Sequence, residues 1–181
     1  PTDAGNDTII CQYDSIQIGG NPSSVNGTYF LWSPSNSIVN DTLANPIVFR
    51  KDPATSGANP LLTAYTGTAL ATAAAVDGMW ALIGSDYVTI DGINLTDPNA
   101  ASATTMMEYG YGLFKASATD GANNNTIKNC TITLNNTYVN NVGIFSTSNQ
   151  SSTNATQAAI SSAGTNSFTK IYSNTISNST Y

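Results

Sequence analysis

The sequence predicts an all-β fold in which short strands coil into a parallel β-helix, a solenoid. Three observations carry this. Charged residues make up 9% of the 181, against roughly 25% in an average globular chain. Asn, Ser and Thr supply the polarity instead, and their short side chains bond to nearby backbone and favour turns and strands over helix. Two sub-patterns also recur in alternation along the chain. Finally, no stretch has the period of an amphipathic helix; only "TALATAAAV" could form a turn or two.

The first sub-pattern is a glycine, an aliphatic, then an aromatic. It reads "GMWALIGS" from Gly78, "GLFKASAT" from Gly112 and "GIFSTSNQ" from Gly143. The second follows each copy: "TIDGINLTD" from Thr89, "TIKNCTITL" from Thr126 and "KIYSNTISN" from Lys170. Stacking the copies puts Ile90, Ile127 and Ile171 in one column, and Leu95, Ile132 and Ile176 in another. Gly92, Asn129 and Ser173 share a turn position, where small residues and Asn tolerate left-handed backbone. The same alignment stacks Gly78, Gly112 and Gly143, and puts Trp80 with Phe114 and Phe145.

Loops between the copies vary in length, and the third carries the long "SNQSSTNATQAAISSAGTNS". Loops vary in this way when strands stack and loops hang outside. Asparagines turn the corners and bond along the axis, while a few aliphatics fill a narrow interior. A β-sandwich is the competing reading, since short alternating strands suit both.

Hydrophobic residues make up 40%, enough for a core. Net charge is −6, with five basic residues and no histidine. That balance argues against nucleic acid and anionic membrane surfaces as partners, because both need clustered Lys and Arg. The longest apolar run, near "LATAAAV", is too short for membrane insertion. With no leader pattern and no initiator Met, the chain reads as a mature or trimmed piece of something longer. Cys11 and Cys130 form no metal motif; they read as separate buried thiols, with a long-range disulfide left open.

An enzyme on such a solenoid would act on polysaccharide. A lyase needs a basic residue and carboxylates that hold Ca²⁺, the one cofactor this route would require. A hydrolase needs carboxylates about 5 to 9.5 Å apart over one groove. The candidates are Asp86, Asp91, Asp97, Glu108 and Asp120. Asp91 shares an outward column with Lys128 and Tyr172, which reads as a glycan-contact column or as a salt bridge between neighbouring copies. Without histidine there is no Ser-His-Asp arrangement, and no catalytic residue is assigned. Asn94/Thr96, Thr131/Thr133 and Thr175/Ser177 form short outward polar ranks, as good strand residues do. Trp32, Trp80 and the nine Tyr are of the type that stacks on sugars, but the column Trp80 shares with Phe114 and Phe145 reads as core or sheet-face packing.

From about Asn45 onward the chain resembles the right-handed parallel β-helix (pectate-lyase-like) regions of large secreted surface proteins of Bacteroidota. The phrases that carry this are "NPIVFRKD", "NPLLTAYTG", "GSDYVTIDGINL", "KASATDGANNNTIKNCTITL" and "SNTISN". The resemblance implies export, often by the type IX route, and surface display, but no particular activity. Residues 1–45 are similar to the start of the Ig-like (PKD-like) repeats of such proteins. They are too few for a complete sandwich of about 100 residues, so they read as a β-rich cap or a partial module, with rungs over 46–181. Asp7-Thr8-Ile9, Asp14-Ser15-Ile16 and Asp41-Thr42-Leu43 match the O-glycosylation pattern of those bacteria, at Thr8, Ser15 and Thr42.

The function expected is a non-catalytic extracellular structural or adhesive segment that contacts glycans, further rungs or copies of itself, and can build a fibre. The alternative is a carbohydrate-binding or polysaccharide-degrading β-helix whose catalytic rungs lie elsewhere. "KIYSNTISNSTY" reads as one more rung without a cap, so its edge is expected to be occupied.

Overall fold

The structure, a computed structural model, describes residues 47–51, 56–67, 77–99, 105–135, 141–150 and 156–180. The expected N-terminal cap or partial module lies outside the described residues, as do Cys11, Trp32 and the glycosylation candidates Thr8, Ser15 and Thr42.

Eleven strands are described: β1 (Ile47–Arg50), β2 (Leu61–Thr63), β3 (Gly78–Ile83), β4 (Val88–Asp91), β5 (Asn94–Thr96), β6 (Tyr109–Lys115), β7 (Thr126–Lys128), β8 (Thr131–Thr133), β9 (Val142–Gln150), β10 (Lys170–Tyr172) and β11 (Thr175–Ser177). One 3-10 turn, Ser162–Gly164, is the only helical element among the described residues. The strands form three sheets, ordered β1-β4-β7-β10, β2-β5-β8-β11 and β3-β6-β9, and every strand pair in them is parallel. Each sheet takes every third strand in turn. The chain thus lays down tiers: β1 to β3, β4 to β6, β7 to β9, then β10 and β11.

Local chemistry explains the short corners. Only residues 92–93, 129–130 and 173–174 separate the first sheet from the second in the later tiers. Gly92, Asn129 and Ser173 turn there with φ of 71°, 57° and 56°. Gly92 also needs its missing Cβ, which would stand 3.1 Å from the Asn59 side chain. A second left-handed column, Tyr87, Asn124 and Phe168, has φ of 55°, 58° and 59° just ahead of the first sheet.

The interior columns follow the expected register. Ile90 pairs with Ile127 and Ile127 with Ile171; Leu95 pairs with Ile132 and Ile132 with Ile176. Ile90, Leu95, Ile127 and Ile132 are fully buried. Phe49 and Trp80 meet edge to face at 5.1 Å, and Trp80 lies 6.0 Å from Tyr111. Burial, not sugar stacking, is the use made of Trp80.

The third sheet corrects the glycine alignment. Gly78 pairs with Tyr109, not Gly112, and Gly112 pairs with Phe145, not Gly143. Trp80 accordingly stacks with Tyr111 and Ile144, rather than with Phe114 and Phe145. The glycines serve unlike packing needs. A Cβ on Gly78 would fall 2.0 Å from the Tyr109 ring, and one on Gly143 would fall 2.5 Å from Ile176. Tyr109, Phe114 and Phe145 instead form their own aromatic group, with centroids 5.3 to 6.3 Å apart.

Asparagines do bond from tier to tier, chiefly to backbone. Asn174 accepts the Cys130 N–H at 3.0 Å and donates to the Ile127 carbonyl at 2.9 Å. Asn166 accepts from Ala122 N and donates to the Leu113 and Thr147 carbonyls. A short polar amide satisfies one donor and one acceptor that a tight corner cannot pair within the sheet.

Candidate functional site

Three places hold the chemistry. The first is the outward column of the first sheet. Arg50, Asp91, Lys128 and Tyr172 are in register there, so the expected trio is brought together and extended by Arg50. Lys128 Nζ lies 3.1 Å from Asp91 Oδ2, and Asn129 Nδ2 donates to Asp91 Oδ1 at 2.6 Å. The hydrogen bond to Asp91 holds the Lys128 ammonium above its ordinary range, with Tyr172 adding to the effect. The column is one cross-tier ion pair with an aromatic beside it.

The second place is the corner between the second and third sheets. Asp77, Asp97 and Glu108 are all buried there. Asp97 Oδ2 accepts the Met107 N–H at 2.8 Å, and its Oδ1 accepts the Asn99 N–H at 3.0 Å. Tyr65 Oη donates to Asp77 Oδ1 at 3.2 Å, and Asp77 N donates to Glu108 Oε2 at 2.9 Å. Burial, then the nearby Asp77 carboxylate, pushes the Tyr65 phenol far up. Burial also raises Glu108, to about 7, with Asp77 and Asp97 contributing. Asp77 was missed in the sequence, because its place beside Glu108 depends on the third-sheet register.

The third place is the last tier. β10 and β11 are edge strands. Ile171 and Ile176 end the two interior columns and are 50% and 45% exposed, while Ile127 and Ile132 below them are at 0%. Phe168 and Ile160 are exposed as well.

The remaining carboxylate candidates sit elsewhere. Asp86 accepts the Asn123 N–H at 2.6 Å, and burial raises both Asp86 and its neighbour Asp120. The five carboxylates are thus split between an outer sheet face and two corners instead of facing one groove. Among the described residues no group of three or more His, Cys, Asp or Glu is arranged to hold a metal ion. Also among them, no helix is long and apolar enough to cross a membrane. Cys130 is a free, buried thiol that donates to the Lys128 carbonyl at 3.0 Å. The hydroxyl rank is in register as Thr63, Thr96, Thr133 and Ser177, with Thr133 and Ser177 bonded at 3.2 Å.

Comparison with protein-family models, with curated proteins and with solved structures finds no match.

Proposed function

We propose that the tiers are rungs of a right-handed parallel β-helix, and that this chain is a structural segment which works by stacking rung on rung. One observation carries the reading: the interior columns end at Ile171 and Ile176 half-exposed, on two edge strands still in register. Exposed apolar side chains beside open backbone groups fit one more rung of the same pattern. That rung comes from a continuing chain or from a second copy, and head-to-tail docking of copies propagates into a fibre. The low charge, the Asn-rich corners and the resemblance to Bacteroidota surface proteins support an extracellular, surface-displayed setting without catalysis of its own.

A carbohydrate-binding role is the second reading, supported by the Asp91, Lys128 and Tyr172 column, whose charges and aromatic lie on one outward line. Catalytic rungs and any Ca²⁺ would then lie in other parts of a longer protein.

Sedimentation and electron microscopy of the 181-residue chain test the stacking. End-to-end association that disappears in Ile176→Asp is the expected result. A stable monomer with protected amides throughout residues 170–177 overturns it. Binding to a glycan array that is lost in Lys128→Ala with Tyr172→Ala would favour the second reading.

A further inference from the structure

Glu108 is the only glutamate in a chain that has no histidine. The third-sheet register sets its place. Gly78 pairs with Tyr109 and Tyr109 with Val142, so the preceding residues, Asp77, Glu108 and Asn141, stack on successive tiers. All three are buried, and Glu108 keeps 2% of its surface. Backbone ties the stack together: Glu108 N donates to the Asp77 carbonyl at 2.8 Å, and Val142 N donates to the Glu108 carbonyl at 2.9 Å.

The side chains are less evenly served. Glu108 Oε2 accepts the Asp77 N–H, but the buried Oε1 has no hydrogen-bond partner. Asn141, the neutral member, accepts from Thr180 N at 2.7 Å and donates to the Asn135 and Asn178 carbonyls. The groups that act on Glu108 are Asp77 and Asp97. Tyr65 is bonded to Asp77, and Tyr109 feels both acids. Among the described residues, no Lys or Arg acts on Glu108. The connecting segments 68–76, 100–104 and 136–140 carry no charged side chain in the sequence.

We propose that Glu108 is a proton-operated latch: it closes the corner between the second and third sheets when it carries a proton and loosens it when ionised. Protonated, the carboxyl brings no charge into the buried corner. Ionised, it sets a second negative charge near Asp77 and leaves a buried oxygen without a donor, which is costly at low local dielectric. Burial, more than its neighbours, holds the group up to about 7. The sign follows from linkage. The stability contributed by the proton is fully present below the ordinary glutamate value of 4.5, falls as pH rises, and is lost through about 7. Because histidine is absent, this response is not masked by the usual neutral-range group.

Selective ¹³C-glutamate labelling of the native chain gives a single side-chain carboxyl resonance. It should titrate near neutrality, and protection of the Met107, Tyr109 and Val142 amides should drop as it does. The native melting temperature should fall between about pH 5 and 8. In Glu108→Gln, which keeps the acceptor and adds a permanent donor, that fall should vanish. A carboxyl midpoint at the ordinary glutamate value overturns the latch, as does an undiminished pH slope in Glu108→Gln. If that variant does not fold, the carboxyl titration alone decides.

Discussion

The side chain of Asn125, fully buried, accepts the Val88 N–H at 2.9 Å and passes its own N–H to the neighbouring Ser85 carbonyl at 2.7 Å. One amide thereby closes the backbone of the tier before it. Asn125→Ala strips partners from two backbone groups in the interior. The expected loss is roughly 2 to 6 kcal/mol by urea denaturation, since each of the two orphaned groups costs about 1 to 3. The Val88 amide should also lose its protection from exchange. A change below about 0.5 kcal/mol would show that water replaces the amide at no cost.

Ile127 and Ile171 share a column but not an environment. Ile127→Ala should cost roughly 2 to 5 kcal/mol, as buried isoleucine truncations do. Ile171→Ala in dilute, monomeric protein should cost under about 1 kcal/mol, because half of that side chain already meets water. Equal costs in the monomer would mean that the last tier is covered after all.

Phe168 holds φ of 59° while 77% exposed. A bulky side chain pays for left-handed backbone, whereas Asn tolerates it. Phe168→Asn should therefore raise stability by roughly 0.5 to 1 kcal/mol in thermal or urea unfolding of the monomer. A clear loss would reveal packing that the exposed ring does not show.

The Lys128 and Asp91 pair should matter little to folding. It is a partly solvated ion pair, so Lys128→Met should change stability by less than about 1 kcal/mol, and by less still in high salt. A larger, salt-insensitive cost would assign the column a structural role that its geometry does not support.

The second sub-pattern was legible because its signals are local. Alternation put Ile90, Ile127, Leu95 and Ile132 inside, and the turn chemistry of Gly92, Asn129 and Ser173 marked where each tier bends. With two pairs of strands locked to one corner, register had a single solution. The outward column of Asp91, Lys128 and Tyr172 followed at once, since period two sends every alternate side chain out. The first sub-pattern misled. Repeated glycines look alike in a sequence, but Gly78 makes room for a ring and Gly143 for an isoleucine.

The sequence alone therefore determined an all-β chain, the aliphatic columns and the asparagine-rich corners, because strand period and turn conformation depend on near neighbours; its repeat favoured parallel stacking, and the strand pairing decided that over a β-sandwich. Tertiary structure alone decided the third-sheet register, the meeting of Asp77 with Glu108, and the half-exposure of Ile171 and Ile176. Each of those depends on which distant residues close over a side chain. A carboxylate's desolvation and a column's last exposed face are properties of that closure, and no local pattern encodes them.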